Sequence, residues 1–269
     1  MKKIGFIGAG NMASALIRGL LRAGHAKADA IWVADPVDAQ LRRLKRLYKV
    51  EGTRDNRALV RGSQTIILAV KPQSMAAVLD EIRGESSPRK LFISIAAGFP
   101  LRRLEAGLGG QARVVRVMPN TAVLVGRGVS VAVAGAKATP PDLKQTLKLF
   151  KAVGEAVSIT GEDLLDAVTA LSGSGPAFVY SFAESLIEGG VRGGLSQPLA
   201  QQLAYAMLGG AAAMLTESGL SSRELRDMVV SPGGTTQAGL TALEQHHFRE
   251  AIIAAVETAT RRARELAAA

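Results

Sequence analysis

Residues 3–13, Lys3-Ile4-Gly5-Phe6-Ile7-Gly8-Ala9-Gly10-Asn11-Met12-Ala13, decide how the rest of the chain is read. Ile4, Phe6 and Ile7 mark a short buried strand over residues 3–8. Gly8-Ala9-Gly10-Asn11-Met12-Ala13 then fits G-x-G-x-x-A. Beyond it, Met12, Leu16 and Leu20 recur at helical spacing through Arg22. Strand, glycine turn and helix start in this order make the phosphate-cradling end of a βαβ unit. The glycines permit a tight turn and close approach of a pyrophosphate, and the helix N-terminus offers amides and a positive dipole end. An ordinary glycine turn is the plain alternative, but the position between strand and helix favours dinucleotide binding.

Working outward, strands are expected over 30–34, 65–70, 90–96, 113–118, 129–134 and 155–159. Helices are expected over 38–49 and 72–82, and from Pro140-Pro141 to about Ala152. Near-continuous apolar strands alternating with helices imply a parallel sheet covered on both faces. After Thr160 the strand pattern stops. Thr160 and Asp163 suit the cap of a helix carrying Leu164, Leu165, Val168 and Leu171. Ser174-Gly175-Pro176 opens a second helix, and Ser196-Gln197-Pro198 a third that Gly219 ends. Ser221 and Glu224 have capping-box spacing, and a helical pattern resumes from Thr235 to the C-terminus. The expected fold class is α/β: a parallel-sheet domain over 1–160 followed by an all-α domain over 161–269.

Composition narrows the chemistry. The 269 residues are 48% hydrophobic but only 4% aromatic, so the core must be built from aliphatic side chains and alanine. There is no cysteine and there are three histidines, which rules out disulfides and thiolate sites and argues against a metal centre. This composition suits a reducing cytoplasm. No apolar run reaches the roughly 20 residues of a membrane helix. Met1-Lys2-Lys3 is followed by a strand and glycine turn rather than by a signal-peptide core. The net charge of +10 comes without a nucleic-acid recognition motif, so it reads as solvated faces that attract small anions.

Further residues mark candidate sites. Asp35 ends the second strand, where an acidic group accepts bonds from an adenosine ribose. Arg42, Arg43, Lys45 and Arg46 follow, with Arg54 and Arg57 beyond; they are either a solvated face or an attractor for a 2′-phosphate. Ala69-Val70-Lys71-Pro72 and Ser94-Ile95-Ala96-Ala97-Gly98 end two strands on the side where such sheets bind ligands. Leu171 through Phe178 reads either as a helix–helix turn or as a helix start offering amides to an anion. Ser231-Pro232-Gly233-Gly234-Thr235-Thr236 reads as an interhelical loop or as a concave set of amide and hydroxyl donors for a carboxylate.

Taken in order, the segments 6–13 (FIGAGNMA), 69–73 (AVKPQ), 94–98 (SIAAG), 116–121 (RVMPNT), 162–178 (EDLLDAVTALSGSGPAF) and 231–240 (SPGGTTQAGL) resemble the pyrroline-5-carboxylate reductase family over essentially the whole chain. The resemblance implies an N-terminal Rossmann-like domain and an all-α C-terminal dimerisation domain. It also implies homodimers with interleaved helices, which often assemble into decamers. The implied activity is NADPH- or NADH-dependent reduction of 1-pyrroline-5-carboxylate to L-proline, the last step of proline biosynthesis.

Carried over, Ile7, Gly8, Ala9, Gly10, Asn11 and Met12 hold the pyrophosphate. Asp35 sits at the adenosine ribose, with Asn56 nearby. Ala69, Val70, Lys71 and Pro72, together with Ile95, Ala96 and Ala97, contact the nicotinamide half. Ser231 and the amides of Gly233, Gly234, Thr235 and Thr236 take the substrate carboxylate. The Thr236 hydroxyl bonds the ring nitrogen, and Glu162 borders the substrate pocket.

Three positions depart from the family pattern: Ala122 stands where the family often has proline, Phe178 where it often has tyrosine, and Asp35 where it often has a small polar residue. Asp35 leaves the choice between NADP and NAD open. Two other readings are a reductase of a different cyclic imino acid and a non-catalytic dinucleotide-binding paralogue. Hydroxyacid dehydrogenases that depend on a lysine in the helical domain fit poorly, since no lysine follows Lys151.

Overall fold

The computed structural model describes residues 4–268. Eight strands form one sheet: β1 (Ile4–Ile7), β2 (Ile31–Ala34), β3 (Glu51–Thr53), β4 (Thr65–Leu68), β5 (Leu91–Ser94), β6 (Arg113–Pro119), β7 (Gly128–Ala134) and β8 (Gly154–Ser158). Their order is β3-β2-β1-β4-β5-β6-β7-β8. Helices α1 (Asn11–Arg22), α2 (Asp38–Tyr48), α3 (Asn56–Gly62), α4 (Pro72–Ile82), α5 (Leu101–Gly107) and α6 (Pro140–Lys151) connect them. Lys3, where the sequence pattern begins the first strand, lies outside the described residues.

Alternation along each strand sends side chains to two cores. Phe6, Ile67, Ile93 and Val115 join Leu16, Ile17 and Leu20 of α1, Leu44 of α2 and Phe150 of α6 on one face. Ile7, Ile66, Leu68, Phe92 and Val114 join Leu59 of α3, Met75 and Leu79 of α4 and Leu104 of α5 on the other. The period-two pattern of a strand buried on both sides produces this partition.

The sheet is parallel as expected except at one place, where β6 and β7 pair antiparallel. Residues 120–127 are too few for the crossover that parallel neighbours require, and Asn120 instead closes a 3₁₀ turn by accepting from Ala122 N–H (3.2 Å) and Val129 N–H (3.1 Å). β3, α3 and α5 were not expected from the pattern. The strands expected over 65–70 and 90–96 stop at Leu68 and Ser94, which frees the residues beyond them as loops.

After β8 the chain is helical: α7 (Leu164–Val168), a π-helical stretch (Thr169–Ser174), α8 (Gly175–Arg192), α9 (Gln197–Glu217), α10 (Ser222–Met228), α11 (Thr235–Gln245) and α12 (Phe248–Ala268). Asp163 precedes α7 but makes no side-chain cap bond, contrary to expectation. The Ser221–Glu224 capping box forms as its spacing indicates. The helical pattern from Thr235 is interrupted at His246 and His247, where His247 takes a positive φ of 54°.

Two compact units emerge. One runs through Gly173 and includes residues from Ala259 onward; the other is Ser174–Thr258. Within the second, α8 and α9 pack through small residues, and a Cβ at Gly190 would stand 3.2 Å from Ala200 Cβ. Phe182 meets Phe248 with ring centroids 5.9 Å apart.

Candidate active site

In the order β3-β2-β1-β4-β5, the connections leave the sheet in opposite directions after β1 and β4, which opens a crevice at their C-terminal ends. The glycine loop lies there. Gly8 N–H donates to Ala34 O (2.8 Å) and Ala69 N–H to Ile7 O (2.8 Å), so the loop is held by both neighbouring strands. Gly8 has φ +103°, and a Cβ there would lie 2.6 Å from Ala69 O. Only glycine suits it. Gly10 differs: its φ of −71° is ordinary, yet it caps α1 with no side-chain cap bond and no acidic residue in the first turn. A Cβ at Gly10 would meet nothing within 4 Å. The free space and unsatisfied amides lie where a pyrophosphate belongs, so the residues present fit a dinucleotide.

Asp35 follows β2. Its Oδ2 accepts from Ala9 N–H (2.7 Å) and its Oδ1 from Val37 N–H (2.9 Å). Arg43 donates to Ala9 O (3.1 Å), so the peptide groups of Ala9 are held from both sides. Asn56 opens α3 and donates to Glu81 Oε2 of α4 (2.8 Å).

The loops after β4 and β5 are adjacent, with Ile95 N–H bonded to Leu68 O (3.2 Å). Lys71 caps α4 and is exposed, and Pro72 takes the first helical position. Ala96 is buried while Ala97 is exposed. The structure therefore brings residues 7–12, Asp35, residues 69–72 and residues 95–97 to one edge of the sheet. A recess of about 640 Å³ at the opposite edge, lined by His25, Lys27, Gln64, Gln145 and Lys148, is remote from this loop set.

Glu162 belongs to the same unit, and its setting is an ion pair. Its Oε1 accepts from the buried Arg116 Nη1 (2.6 Å) and from Leu101 N–H at the start of α5 (2.7 Å). Asp166, one turn on, has its pKa raised by burial, opposed by Arg116 and Arg264 and reinforced by Glu162 and Asp163. The sequence reading missed Arg116. Its signal was a single charge inside the apolar run Val114-Val115-Arg116-Val117, which demands a buried partner.

In the helical unit, Gly233 has φ +69° and Gly234 caps α11 without a side-chain bond or a first-turn acid. Gly234 N–H donates to Ser231 O (3.0 Å), and a Cβ at Gly234 would collide with Ser231 Oγ. The first amides of α11, at Thr235 and Thr236, thus point out of a tight Ser-Pro-Gly-Gly turn beside one serine and two threonine hydroxyls. This can hold a carboxylate. The segment 171–178 opens a helix where expected, with α8 starting at Gly175 and Pro176 in its first turn, but a π stretch joins it to α7 and Ser174 keeps helical dihedrals (φ −87°, ψ −27°) instead of an extended cap. Among the described residues no cluster of His, Asp or Glu can hold a metal, and no helix is long and apolar enough to cross a membrane.

Comparison with known proteins identifies the family. Residues 162–266 match the family described as pyrroline-5-carboxylate reductase dimerisation, and residues 3–98 match the one described as NADP oxidoreductase, coenzyme F420-dependent. A pyrroline-5-carboxylate reductase of Methanosarcina acetivorans is 45% identical over 98% of this chain and 98% of its own. The Coxiella burnetii enzyme of that name has a solved structure with a TM-score of 0.93 at 34% identity, covering 98% of each chain. A Plasmodium falciparum pyrroline carboxylate reductase solved with NADP bound gives a TM-score of 0.87 at 35% identity, again over 98% of each. With likeness of this extent on both the sheet and the helical segments, the chain belongs to the pyrroline-5-carboxylate reductase family.

Proposed function

We propose that this protein reduces 1-pyrroline-5-carboxylate to L-proline with a nicotinamide dinucleotide, as the last step of proline biosynthesis. The observation that carries the reading is the glycine cradle at the switch point of the sheet, open at Gly10 and flanked by residues 69–72 and 95–97. The NADP-bound relative supports the cofactor class. When bound, the reduced nicotinamide supplies the hydride. The protein's own groups bind and orient. Gly8 through Met12 receive the pyrophosphate, Asp35 the adenosine ribose with Asn56 nearby, and the loops after β4 and β5 the nicotinamide half.

Ser231 and the backbone from Gly233 to Thr236 hold the substrate carboxylate, which fixes the ring face that is presented. The Thr236 hydroxyl orients the ring nitrogen. A threonine is a poor acid, so the imine is taken up already protonated or draws its proton from solvent. Glu162 serves the substrate side by position, through its bonds to Arg116 and the start of α5.

The protein works as a homodimer through its helical unit, and the dimers assemble to a decamer. A cysteine-free sequence is consistent with a reducing, cytoplasmic setting.

The deciding assay follows oxidation of NADH and of NADPH, separately, with DL-1-pyrroline-5-carboxylate at neutral pH. Turnover with either establishes the reaction. Cofactor binding without turnover sinks this substrate and redirects the search to other cyclic imines. Thr236→Ala is expected to lower kcat/KM by roughly tenfold or more, and full retention would remove Thr236 from the mechanism.

A further inference from the structure

We infer that Asp35 makes this protein select NAD(H) over its 2′-phosphorylated counterpart NADP(H), an inference that rests on the dinucleotide reading above. Asp35 is fixed by its backbone and by its carboxylate. Its N–H donates to Thr53 O (3.2 Å), Oδ2 accepts from Ala9 N–H (2.7 Å) and Oδ1 from Val37 N–H (2.9 Å). A carboxylate anchored in this way cannot swing out of the crevice as a free surface side chain would. Each oxygen keeps a further lone pair, which suits the two donor hydroxyls of an unmodified ribose. A phosphate on the 2′ carbon would instead bring two to three acceptor oxygens and nearly two negative charges against it.

Of the cations that could offset this repulsion, Arg43, Arg54 and Arg57 are engaged with the protein itself. Arg43 donates to Ala9 O (3.1 Å) through Nη2, while its buried Nε has no hydrogen-bond partner among the described residues. Its guanidinium therefore serves the glycine loop. Arg54 forks onto Asp38, with Nε to Oδ1 at 2.6 Å and Nη2 to Oδ2 at 2.5 Å. Arg57 Nε donates to Glu81 O (2.8 Å). Arg42, Lys45 and Arg46 stand on the exposed face of α2. The basic run that follows Asp35 in the sequence thus resolves into loop support, ion pairing and solvated surface. Because Asp35 and Arg43 grip the two polar ends of Ala9, the side chain that reads the ribose also sets the shape of the pyrophosphate loop.

The test uses the full-length protein and two adenosine fragments, 5′-AMP and adenosine 2′,5′-bisphosphate, titrated by calorimetry. NAD⁺ and NADP⁺ are followed in parallel by protein fluorescence. The unphosphorylated member of each pair is expected to bind at least about tenfold more tightly. Asp35→Asn, which keeps the shape and one carbonyl acceptor, should bring that ratio close to one, and Asp35→Ser should do the same. Arg43→Ala should weaken both fragments alike, by loosening the loop.

Equal or tighter binding of the bisphosphate by the unaltered protein overturns the selectivity, whether or not any variant folds. Selectivity that survives both Asp35 substitutions removes it from Asp35. A loss confined to the bisphosphate in Arg43→Ala would place the phosphate on that guanidinium and also overturn the inference. Absence of binding by both fragments and by both dinucleotides overturns the dinucleotide reading beneath it as well.

Discussion

At the residue scale, the two glycines of the loop do different work and can be separated by substitution. Gly8→Ala puts a Cβ against the Ala69 backbone at positive φ, and both strain and collision oppose folding. Its unfolding temperature should fall sharply. Gly10→Ala meets open space at ordinary φ, so thermal unfolding should be unchanged while dinucleotide affinity drops roughly tenfold, measured by fluorescence titration. The motif was readable in the sequence because glycine spacing reports backbone geometry directly. The division of labour was not, because it depends on what lies opposite each Cβ. Asp166 gives a second test. Burial raises its pKa, so its folded value exceeds its unfolded value. Its favourable contribution is therefore present below the ordinary 3.8 and is lost as pH rises through the folded value. Asp166→Asn should unfold at a higher temperature than the unaltered protein at neutral pH, with the gap closing in acid. A gap that widens in acid would show the charged form to be the favoured one.

At the element scale, local capping and buried pairing fix where helices start. α6 begins with Thr139, whose hydroxyl caps Asp142 while the Asp142 carboxylate accepts from Thr139 N–H (2.8 Å) and pairs with Arg113. Thr139→Ala should cost about 1–2 kcal/mol in denaturant unfolding, with the slope of the transition unaltered. Glu162→Gln should cost more, about 2–4 kcal/mol, since it leaves Arg116, 5% exposed, without its counter-charge. Long elements with apolar periodicity, such as α1, β4 and β6, were legible in the sequence. β3 and α5 were not. Glu51-Gly52-Thr53 has little apolar content and is a strand because β2 offers it a free edge. α5 is a single short run, whose first amide is held by Glu162 from far along the chain. Leu171 through Phe178 was legible in part, since α8 starts at Gly175 as read. Its Ser, Gly and Pro signal a break, but i to i+5 bonding absorbs them in a π stretch.

At the scale of the whole molecule, the helical unit has little core of its own. Leu199, Leu203, Met207 and Leu215 of α9 are 38–54% exposed together with neighbours such as Leu195 and Leu220, whereas only Ala200 and Ala204 of that helix are buried. A helix apolar on nearly every side requires cover, which a second copy supplies in a dimerisation module. Leu203→Glu should shift the protein towards monomer in sedimentation velocity, and the unfolding temperature of the unaltered protein should rise with its concentration. The sequence announced helices here but not their cover, because periodicity marks an apolar face without naming its partner. The grouping of residues from Ala259 onward with the sheet unit, where Leu266 lies 3.7 Å from the position of a Cβ on Gly98, also bears on biosynthesis. A ribosome delivers the whole of Ser174–Thr258 before that closing segment appears. The cover that Leu266 gives Gly98, in the loop after β5, therefore forms only once the intervening helical unit has been synthesised.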